Sequence, residues 1–229
     1  MSRIILIETS TALCSVALEQ DGKIVAARES DAPKAHAAMT APFVKQVLEE
    51  RGLTVKDCDA VCVSAGPGSY TGLRVGVSTA KGLCFATGLP LLAVGTLDIL
   101  ARQAMEEGLP GEIRHIIPMV DARRMEVYTG IFTPDGKQVS PTEARIIDPD
   151  SFKDQLAEGP VLFIGDGAGK CQETLTSPEA RFIQCCPRAA SMARPATEAL
   201  NAKRFEDVAY FEPFYLKEFM TTVSKRKII

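Results

Sequence analysis

Residues 64–76 read SAGPGSYTGLRVG, a glycine-rich stretch between two segments with different hydrophobic patterns. The stretch is preceded by residues 60–64, which overlap it at position 64. These residues are small and mostly apolar, and they predict a buried strand. Residues 73–87, in which it ends, predict a helix. A glycine-rich turn that joins a strand to a helix is typical of α/β proteins. The stretch therefore predicts a strand–turn–helix unit around which the other elements can be placed.

The predicted elements on either side of this unit occur in an order that repeats. In each half, three strands precede a helix, a strand, a second helix and a further strand. The opening strands of the two halves cover 4–7, 14–19 and 24–28, and then 116–120, 125–132 and 143–147. The predicted helices cover 36–50, 73–87, 96–107, 151–156, 170–175 and 189–203. This repetition of order indicates an internal duplication.

We therefore predict an α/β protein with two lobes of a βββαβαβ type, residues 1–102 and residues 103–229. Strands that alternate with helices predict mixed sheets covered by helices. Two such lobes face each other in the actin-like architecture of sugar kinases and Hsp70 (the ASKHA, RNase H-like fold), where nucleotide binds in the cleft.

The composition limits the possible partners. The 229 residues include 26 Lys and Arg and 29 Asp and Glu, so the net charge is -3. A general electrostatic attraction to nucleic acid requires a basic surface, so we expect any RNA contact to be local or made through a partner. The longest apolar stretch, 82–95, is interrupted by Pro90 and is shorter than the ~20 residues of a membrane span. We expect a soluble, cytoplasmic protein with reduced cysteines and no membrane partner.

Polar groups in the glycine-rich turn are candidates for binding an anion. Ser69 and Thr71 supply hydroxyls and Arg74 supplies a cation one turn into the helix. Backbone N–H groups at a helix N-terminus can hold a phosphate. The stretch is not a P-loop, because no Gly-Lys-Ser/Thr closes it. A tight structural turn is the alternative explanation of the same residues.

Two acidic residues occupy matching places in the two repeats, because Glu8 ends the first strand and Asp121 ends the strand over 116–120. Thr9, after Glu8, adds a hydroxyl, so Glu8, Thr9 and Asp121 join the candidate anion- or nucleotide-binding residues. An actin-like ATPase has a glycine after the acid, whereas here no glycine occurs between Glu8 and Gly22. This argues against a working ATPase cleft, and hydroxyls that satisfy turn donors are the alternative.

The helix after the glycine-rich turn carries small residues four apart, at Gly72, Gly76 and Ala80. Each glycine inside a helix costs about 1 kcal/mol relative to alanine, so another backbone is expected to approach closely. That backbone belongs either to the chain's own sheet or to a helix of another chain. For the second case we predict a partner interface formed by Met39, Phe43, Val47, Gly72, Gly76, Thr79, Ala80 and Leu83.

No metal site and no catalytic residue is predicted. His36 begins the helix over 36–50, and a metal pair on a helix would need a second histidine at position 40, where Thr40 stands. The other histidine, His115, has no nucleophile nearby in the sequence, so no Ser–His–Asp or Cys–His set can be recognised.

These segments together resemble one family. Its opening is similar to ETS at 8–10 followed by CSVAL at 14–18, and its long motif is similar to GPGSYTGLRVGVSTAKG at 66–82. Later landmarks are DARR at 121–124 with EVY at 126–128, and EP at 212–213 with YLK at 215–217. On these motifs the chain is identified as a member of the TsaB (YeaZ) family.

This resemblance implies a non-catalytic scaffold or activating subunit of the bacterial machinery that makes N6-threonylcarbamoyladenosine at position 37 of tRNA. It implies pairing with the transferase TsaD through the helices of the first lobe, a homodimer when TsaD is absent, assembly with the ATPase TsaE, and contact with tRNA only through the complex. No cofactor is required by the chain itself, and ATP or ADP binds at the contact between subunits. TsaD carries a metal-binding H-x-x-x-H pair, which His36 and Thr40 would break. Two alternatives are an actin-like ATPase acting alone and a degenerate glycoprotease-like metallopeptidase.

Overall fold

A five-stranded sheet organises the first half of the chain in a computed structural model that describes residues 2–217. Met1 and residues 218–229, the end of the predicted second lobe, lie outside the described residues. The strands follow the order β3-β2-β1-β4-β5. They are β1 (Arg3–Glu8), β2 (Cys14–Gln20), β3 (Lys23–Ser30), β4 (Ala60–Gly66) and β5 (Leu91–Gly95). β1 pairs antiparallel with β2 and parallel with β4.

Alternation along β1 gives the first sheet two buried faces. Ile5 and Ile7 pack in one apolar cluster, and Ile4 and Leu6 pack in another on the opposite face. Because both faces are covered, β1 is a continuous apolar run without polar alternation. The first face is covered by α1 (Ala35–Glu49) and α2 (Tyr70–Thr87).

The second half forms a second five-stranded sheet with the order β10-β9-β6-β7-β8. Its strands are β6 (His115–Asp121), β7 (Glu126–Thr129), β8 (Glu143–Ile146), β9 (Val161–Ile164) and β10 (Ala180–Ile183). Here the first strand of the half again lies in the centre, between its antiparallel hairpin partner and a later parallel strand. The two sheets therefore have the same topology, which confirms the predicted duplication and α/β fold class.

Helices connect and cover the two sheets. α3 (Thr96–Glu107) packs against β4 and β5 of the first sheet and β6 of the second, so it lies between the lobes. The second half has only short helices within 103–188, α4 (Lys153–Ala157) and α5 (Ala168–Cys171). The helix predicted over 170–175 is thus wrong beyond Cys171, where the chain continues as turns.

The chain returns to the first sheet at its C-terminal end. α6 (Ala193–Asn201) covers the second face of the first sheet, and the turn before it begins with Ala189, whose N–H donates to the Ser15 hydroxyl at 3.0 Å. Glu206 then bridges to Leu91 of β5, and Phe214 N–H donates to the Ala65 carbonyl at 2.7 Å. Within the predicted second lobe, residues 103–229, the segment 189–215 thus packs on the first sheet and its helices. The boundary near 102 falls inside α3 and stays a prediction.

Among residues 2–217, no helix combines the length and apolar composition required to cross a bilayer. All seven cysteines are free thiols, and five of them are buried.

Candidate functional site

The glycine-rich turn packs directly on the connection that follows β1. Ser69 N–H donates to the Ser10 carbonyl at 2.6 Å. A Cβ atom at Gly68 would collide with the Ser10 backbone, and one at Gly72 would collide with the Thr9 carbonyl oxygen. These glycines are therefore required because two stretches of the chain's own backbone approach each other closely.

The hydroxyl of Ser69 is used within α2. Its Oγ accepts a hydrogen bond from the Gly72 N–H at 3.2 Å, which makes Ser69 the N-cap of the helix. A cap of this kind contributes about 1 kcal/mol. The structural-turn alternative therefore accounts for Ser69.

Glu8 is buried at the end of β1, beside the same connection. Its Oε1 accepts a hydrogen bond from the Ser10 N–H at 2.5 Å, and its Oε2 has no hydrogen-bond partner among the described residues. Burial raises the pKa of Glu8 to about 7, although hydrogen bonds from Ser10 and Ser64 oppose the rise. The hydroxyls of Thr9, Ser10 and Thr11 are also buried without a partner. Glu8 and Thr9 thus have no exposed surface to offer to an anion.

Asp121 belongs to a separate cluster in the second lobe. Its carboxylate pairs with Lys170, and its backbone N–H donates to Asp166 Oδ1 at 2.9 Å. Lys170 Nζ also donates to the carbonyls of Arg124 and Glu126, each at 2.7 Å. Burial raises the pKa of Asp166, and the charge of Asp121 adds to that rise. The charge of Asp166 also adds slightly to the raised pKa of Glu8.

Sequence reasoning did not select Asp166 and Lys170 as site residues. Both lie in the second glycine-rich turn, GDGAGK at 165–170, which follows β9 as the first turn follows β4. The repeat itself was the feature that could have identified them, since equivalent turns in duplicated lobes lie at equivalent places.

The six candidate anion-binding residues therefore lie in different surroundings. Glu8 and Thr9 are buried, Ser69 caps α2, and Asp121 is paired within the second lobe. Thr71 and Arg74 are exposed on the first turns of α2. The glycine-rich turn packs on the Ser10 backbone, and a shared anion or nucleotide site stays a prediction.

The small-residue stripe of α2 faces inward. Gly72, Gly76 and Ala80 are all buried, and a Cβ at Gly76 would collide with the Thr9 side chain. Phe43 and Val47 of α1 are likewise buried in the core of the first sheet. The burial of these five residues agrees with the alternative of packing against the chain's own sheet, and their part in a partner interface stays a prediction.

The outer faces of α1 and α2 enclose a shallow depression, the α1–α2 groove, with a volume of about 440 Å³. It is lined by Ala37, Tyr70, Thr71, Arg74, Val75, Ser78 and Thr79. Of the predicted interface residues, Thr79 lines this groove, and Met39 and Leu83 are half-buried. Further along α2, the Phe85 side chain is 87% exposed.

The start of α1 does not fit a metal ion. The Thr40 hydroxyl donates to the His36 carbonyl at 2.6 Å and lies 3.5 Å from the Cys14 sulfur. Within residues 2–217, no three His, Cys, Asp or Glu side chains are placed to hold a metal together.

Comparison with known proteins relates this geometry to one family. Residues 26–210 match the family model of TsaD, tRNA N6-adenosine threonylcarbamoyltransferase. The tRNA threonylcarbamoyladenosine biosynthesis protein TsaB of Escherichia coli (strain K12) is 33% identical over 170 residues, which cover 72% of this chain and 71% of that protein.

Solved structures show the same architecture. YeaZ from Pseudomonas aeruginosa superimposes with a TM-score of 0.78 at 28% identity, over 94% of this chain and 100% of that one. The activator of 2-hydroxyisocaproyl-CoA dehydratase from Clostridium difficile, with bound ADPNP, has a TM-score of 0.51 at 11% identity, over 88% of this chain and 96% of that one. This last likeness concerns the fold alone, and it agrees with the predicted two-lobed actin-like architecture.

Proposed function

The chain belongs to the TsaB (YeaZ) family, and on that basis we propose that it takes part in forming N6-threonylcarbamoyladenosine at position 37 of tRNA. Its role is that of a non-catalytic scaffold or activating subunit. It pairs with the transferase TsaD, joins the ATPase TsaE in the complex, and forms a homodimer when TsaD is absent.

The observation that carries the non-catalytic role is the closed connection after β1. In this fold the first connection is where a nucleotide phosphate would bind, but here residues 9–11 are buried under the chain's own glycine-rich turn. The carboxyl of Glu8 is turned to the Ser10 N–H instead of to solvent. An ATPase acting alone would need this space to be open.

The metallopeptidase alternative would need a metal pair at the start of α1. The hydroxyl of Thr40 is engaged by the helix backbone at His36, and His36 has no second histidine beside it. This arrangement favours a docking role for α1 over a catalytic one.

The α1–α2 groove is the surface that fits a partner helix. Its small lining residues, such as Ala37 and Ser78, allow another helix to approach closely, and Phe85 offers an exposed aromatic anchor. The interface thus uses the outer faces of the two helices. On α2 its residues Thr71, Val75 and Thr79 each come one position before a residue of the buried small-residue stripe. ATP or ADP binds at this contact between subunits, beside Arg74, and not in the closed cleft.

An omission assay tests the proposed role. TsaD, TsaE, threonylcarbamoyl-adenylate, ATP and unmodified tRNA are combined with and without this protein, and modified adenosine is measured. We expect product only when the protein is present, and none from the protein alone. Equal product without it would contradict the scaffold role.

Pairing is tested by charged substitutions in the groove. We expect Ala37→Arg and Ser78→Arg to weaken pairing with TsaD by about tenfold or more, because a buried, unpaired guanidinium is costly. Both positions are exposed in this chain, so the fold is retained. Asn201→Arg, at the exposed end of α6, is the matched control. Sedimentation with and without ADP measures pairing, and unchanged pairing of both groove variants would rule out this surface.

A further inference from the structure

Three separate segments of the family resemblance meet on one surface that begins at the edge of the α1–α2 groove, where Tyr70 and Arg74 line the groove. They are the glycine-rich motif with the start of α2, the hairpin between β6 and β7, and the chain at 212–217. We name their shared surface the basic–aromatic strip. It consists of Tyr70, Arg74, Tyr215, Lys217 and Tyr128, together with Arg123 and the next residue of the turn, Arg124.

The first half of the strip is a pair of tyrosine rings with a guanidinium beside them. The ring centroids of Tyr70 and Tyr215 are 4.8 Å apart, with an interplanar angle of 39°. The Arg74 guanidinium carbon lies 5.2 Å from the Tyr70 centroid, and Arg74 Nη1 donates to the Tyr70 hydroxyl at 3.2 Å. Arg74 is exposed and both rings are half-buried, so the rings are held in place while still reaching the surface.

The second half of the basic–aromatic strip lies on the second lobe. Lys217 Nζ is 5.9 Å from the centroid of Tyr128 and pairs with the carboxylate of Glu126. Burial raises the pKa of Tyr128, and the charges of Lys217 and Arg123 oppose that rise, which places both cations close to this ring. Lys217 is two residues from Tyr215, so the C-terminal segment links the two halves.

The tip of the β6–β7 hairpin presents two arginines on a supported backbone. Arg123 and Arg124 both have positive φ angles, 67° and 51°. Arg123 N–H donates to Asp121 Oδ1 at 2.9 Å, and Lys170 holds the Arg124 carbonyl at 2.7 Å. The turn therefore holds the backbone of two exposed arginines in place, and Arg123 lies close enough to Tyr128 to act on its ring electrostatically.

On this surface most of the acidic side chains are already in ion pairs, whereas the arginines, among the described residues, are not. Nearby Asp121 and Glu126 are already paired with Lys170 and Lys217, whereas Glu212 is exposed close to Tyr215. None of the ion pairs within residues 2–217 involves Arg74, Arg123 or Arg124. The chain has a net charge of -3, yet these three guanidinium groups have no ion-pair partner among residues 2–217.

We propose that the basic–aromatic strip binds a segment of RNA with unstacked bases. The arginines contact phosphates and the tyrosine rings stack on bases, which is how single-stranded nucleic acid is bound. An acidic peptide would use the cations but would leave the rings without a role, so RNA fits better. The proposal rests on the proposed function, in which the RNA is tRNA, and adds that this chain itself contacts tRNA within the complex.

Binding of fluorescently labelled, unmodified tRNA tests the proposal. The full chain is measured alone and with TsaD, over a range of salt concentrations. We expect the double variant Arg123→Glu and Arg124→Glu to weaken binding by about tenfold or more and to lower the slope of log affinity against log salt by about 1.4, since each lost phosphate contact removes about 0.7. Tyr215→Ala weakens binding by about fivefold or more, whereas Tyr215→Phe, which keeps the ring, does not.

The controls separate this proposal from the pairing proposal. All of these substitutions lie outside the α1–α2 groove, so sedimentation with TsaD is expected to stay unchanged. Arg114→Glu, at the opposite end of β6, should leave tRNA affinity and salt slope as in the wild type. Variants that pair normally and bind tRNA with unchanged affinity would overturn the RNA proposal alone. Competition by poly-glutamate but not by single-stranded RNA would overturn it in favour of an acidic protein partner.

Discussion

At the scale of single residues, Glu8 shows how position in the fold changes the meaning of a side chain. An acid at the end of the first strand of an actin-like lobe suggests a nucleotide site. Here the carboxyl is fully buried, accepts one backbone hydrogen bond from Ser10 and leaves Oε2 without a described partner. Burial of an incompletely paired carboxyl favours its neutral form, which is why its pKa rises to about 7.

The raised pKa of Glu8 predicts a loss of stability with increasing pH. In the unfolded chain the carboxyl releases its proton near 4.5, and in the folded chain near 7, so the free energy of unfolding falls as pH rises through this window. The expected fall is on the order of 3 kcal/mol. Glu8→Gln should remove this dependence, as measured by urea denaturation at pH 5 and pH 8. The exposed control Glu49→Gln should keep it, and an unchanged profile in Glu8→Gln would contradict the assignment.

At the scale of elements, α2 has two faces with opposite requirements. Its inner face carries Gly72 and Gly76 because the backbone and side chain of Thr9 lie where Cβ atoms would be. Its outer face carries Gly82, around which no atom lies within 4 Å of an added Cβ. The helix ends at Gly88, whose φ of 76° is the left-handed conformation that suits glycine.

The two faces of α2 predict opposite effects of the same substitution. Gly76→Ala is expected to lower stability by about 1–3 kcal/mol, because the added methyl overpacks against Thr9. Gly82→Ala is expected to raise stability by about 0.5–1 kcal/mol, because alanine favours the helix and nothing opposes it. Thermal unfolding of the two variants measures this. Equal effects of the two substitutions would show that the inner face is not packed as described.

At the scale of the whole molecule, the two lobes are connected a second time, because the chain after the second sheet packs on the first sheet. α6 covers one face of that sheet with Ala193, Ala196 and Ala199, which pack among Ile4 and Leu6. Arg188, just before the return, lies within ion-pair distance of Glu29 of β3 and Glu107 of α3. The packing of the first lobe therefore depends on residues 188–201.

Because α6 packs on the first sheet, we predict that a substitution that disrupts the buried face of α6 also unfolds the first lobe. Ala196 is fully buried, so Ala196→Asp places an unpaired charge against the sheet and should cost about 3 kcal/mol or more. Arg194→Asp, on the exposed side of the same helix, should cost little. Limited proteolysis reports the difference as rapid cleavage within β1 to β5 in the first variant only. Protection of these strands in Ala196→Asp would mean that α6 does not complete the first lobe.

The order of elements and the duplicated topology were predictable from the sequence, because hydrophobic runs and the glycine-rich turns are local signals. The family motifs could also be recognised from the sequence, since they are runs of consecutive residues. The sequence did not predict whether the face of α2 with Gly72, Gly76 and Ala80 points into the core or to a partner. Small residues favour the close approach of another backbone, but they do not specify which backbone it is.

Contacts between distant parts of the chain decided the rest. The contact of the Ser10 backbone with the glycine-rich turn joins residues nearly sixty positions apart. The return of 189–215 to the first sheet and the meeting of Tyr70 with Tyr215 join residues still further apart. Periodicity and turn chemistry determine local conformation, whereas burial and exposure depend on which distant surfaces come together, and only the tertiary structure supplies that.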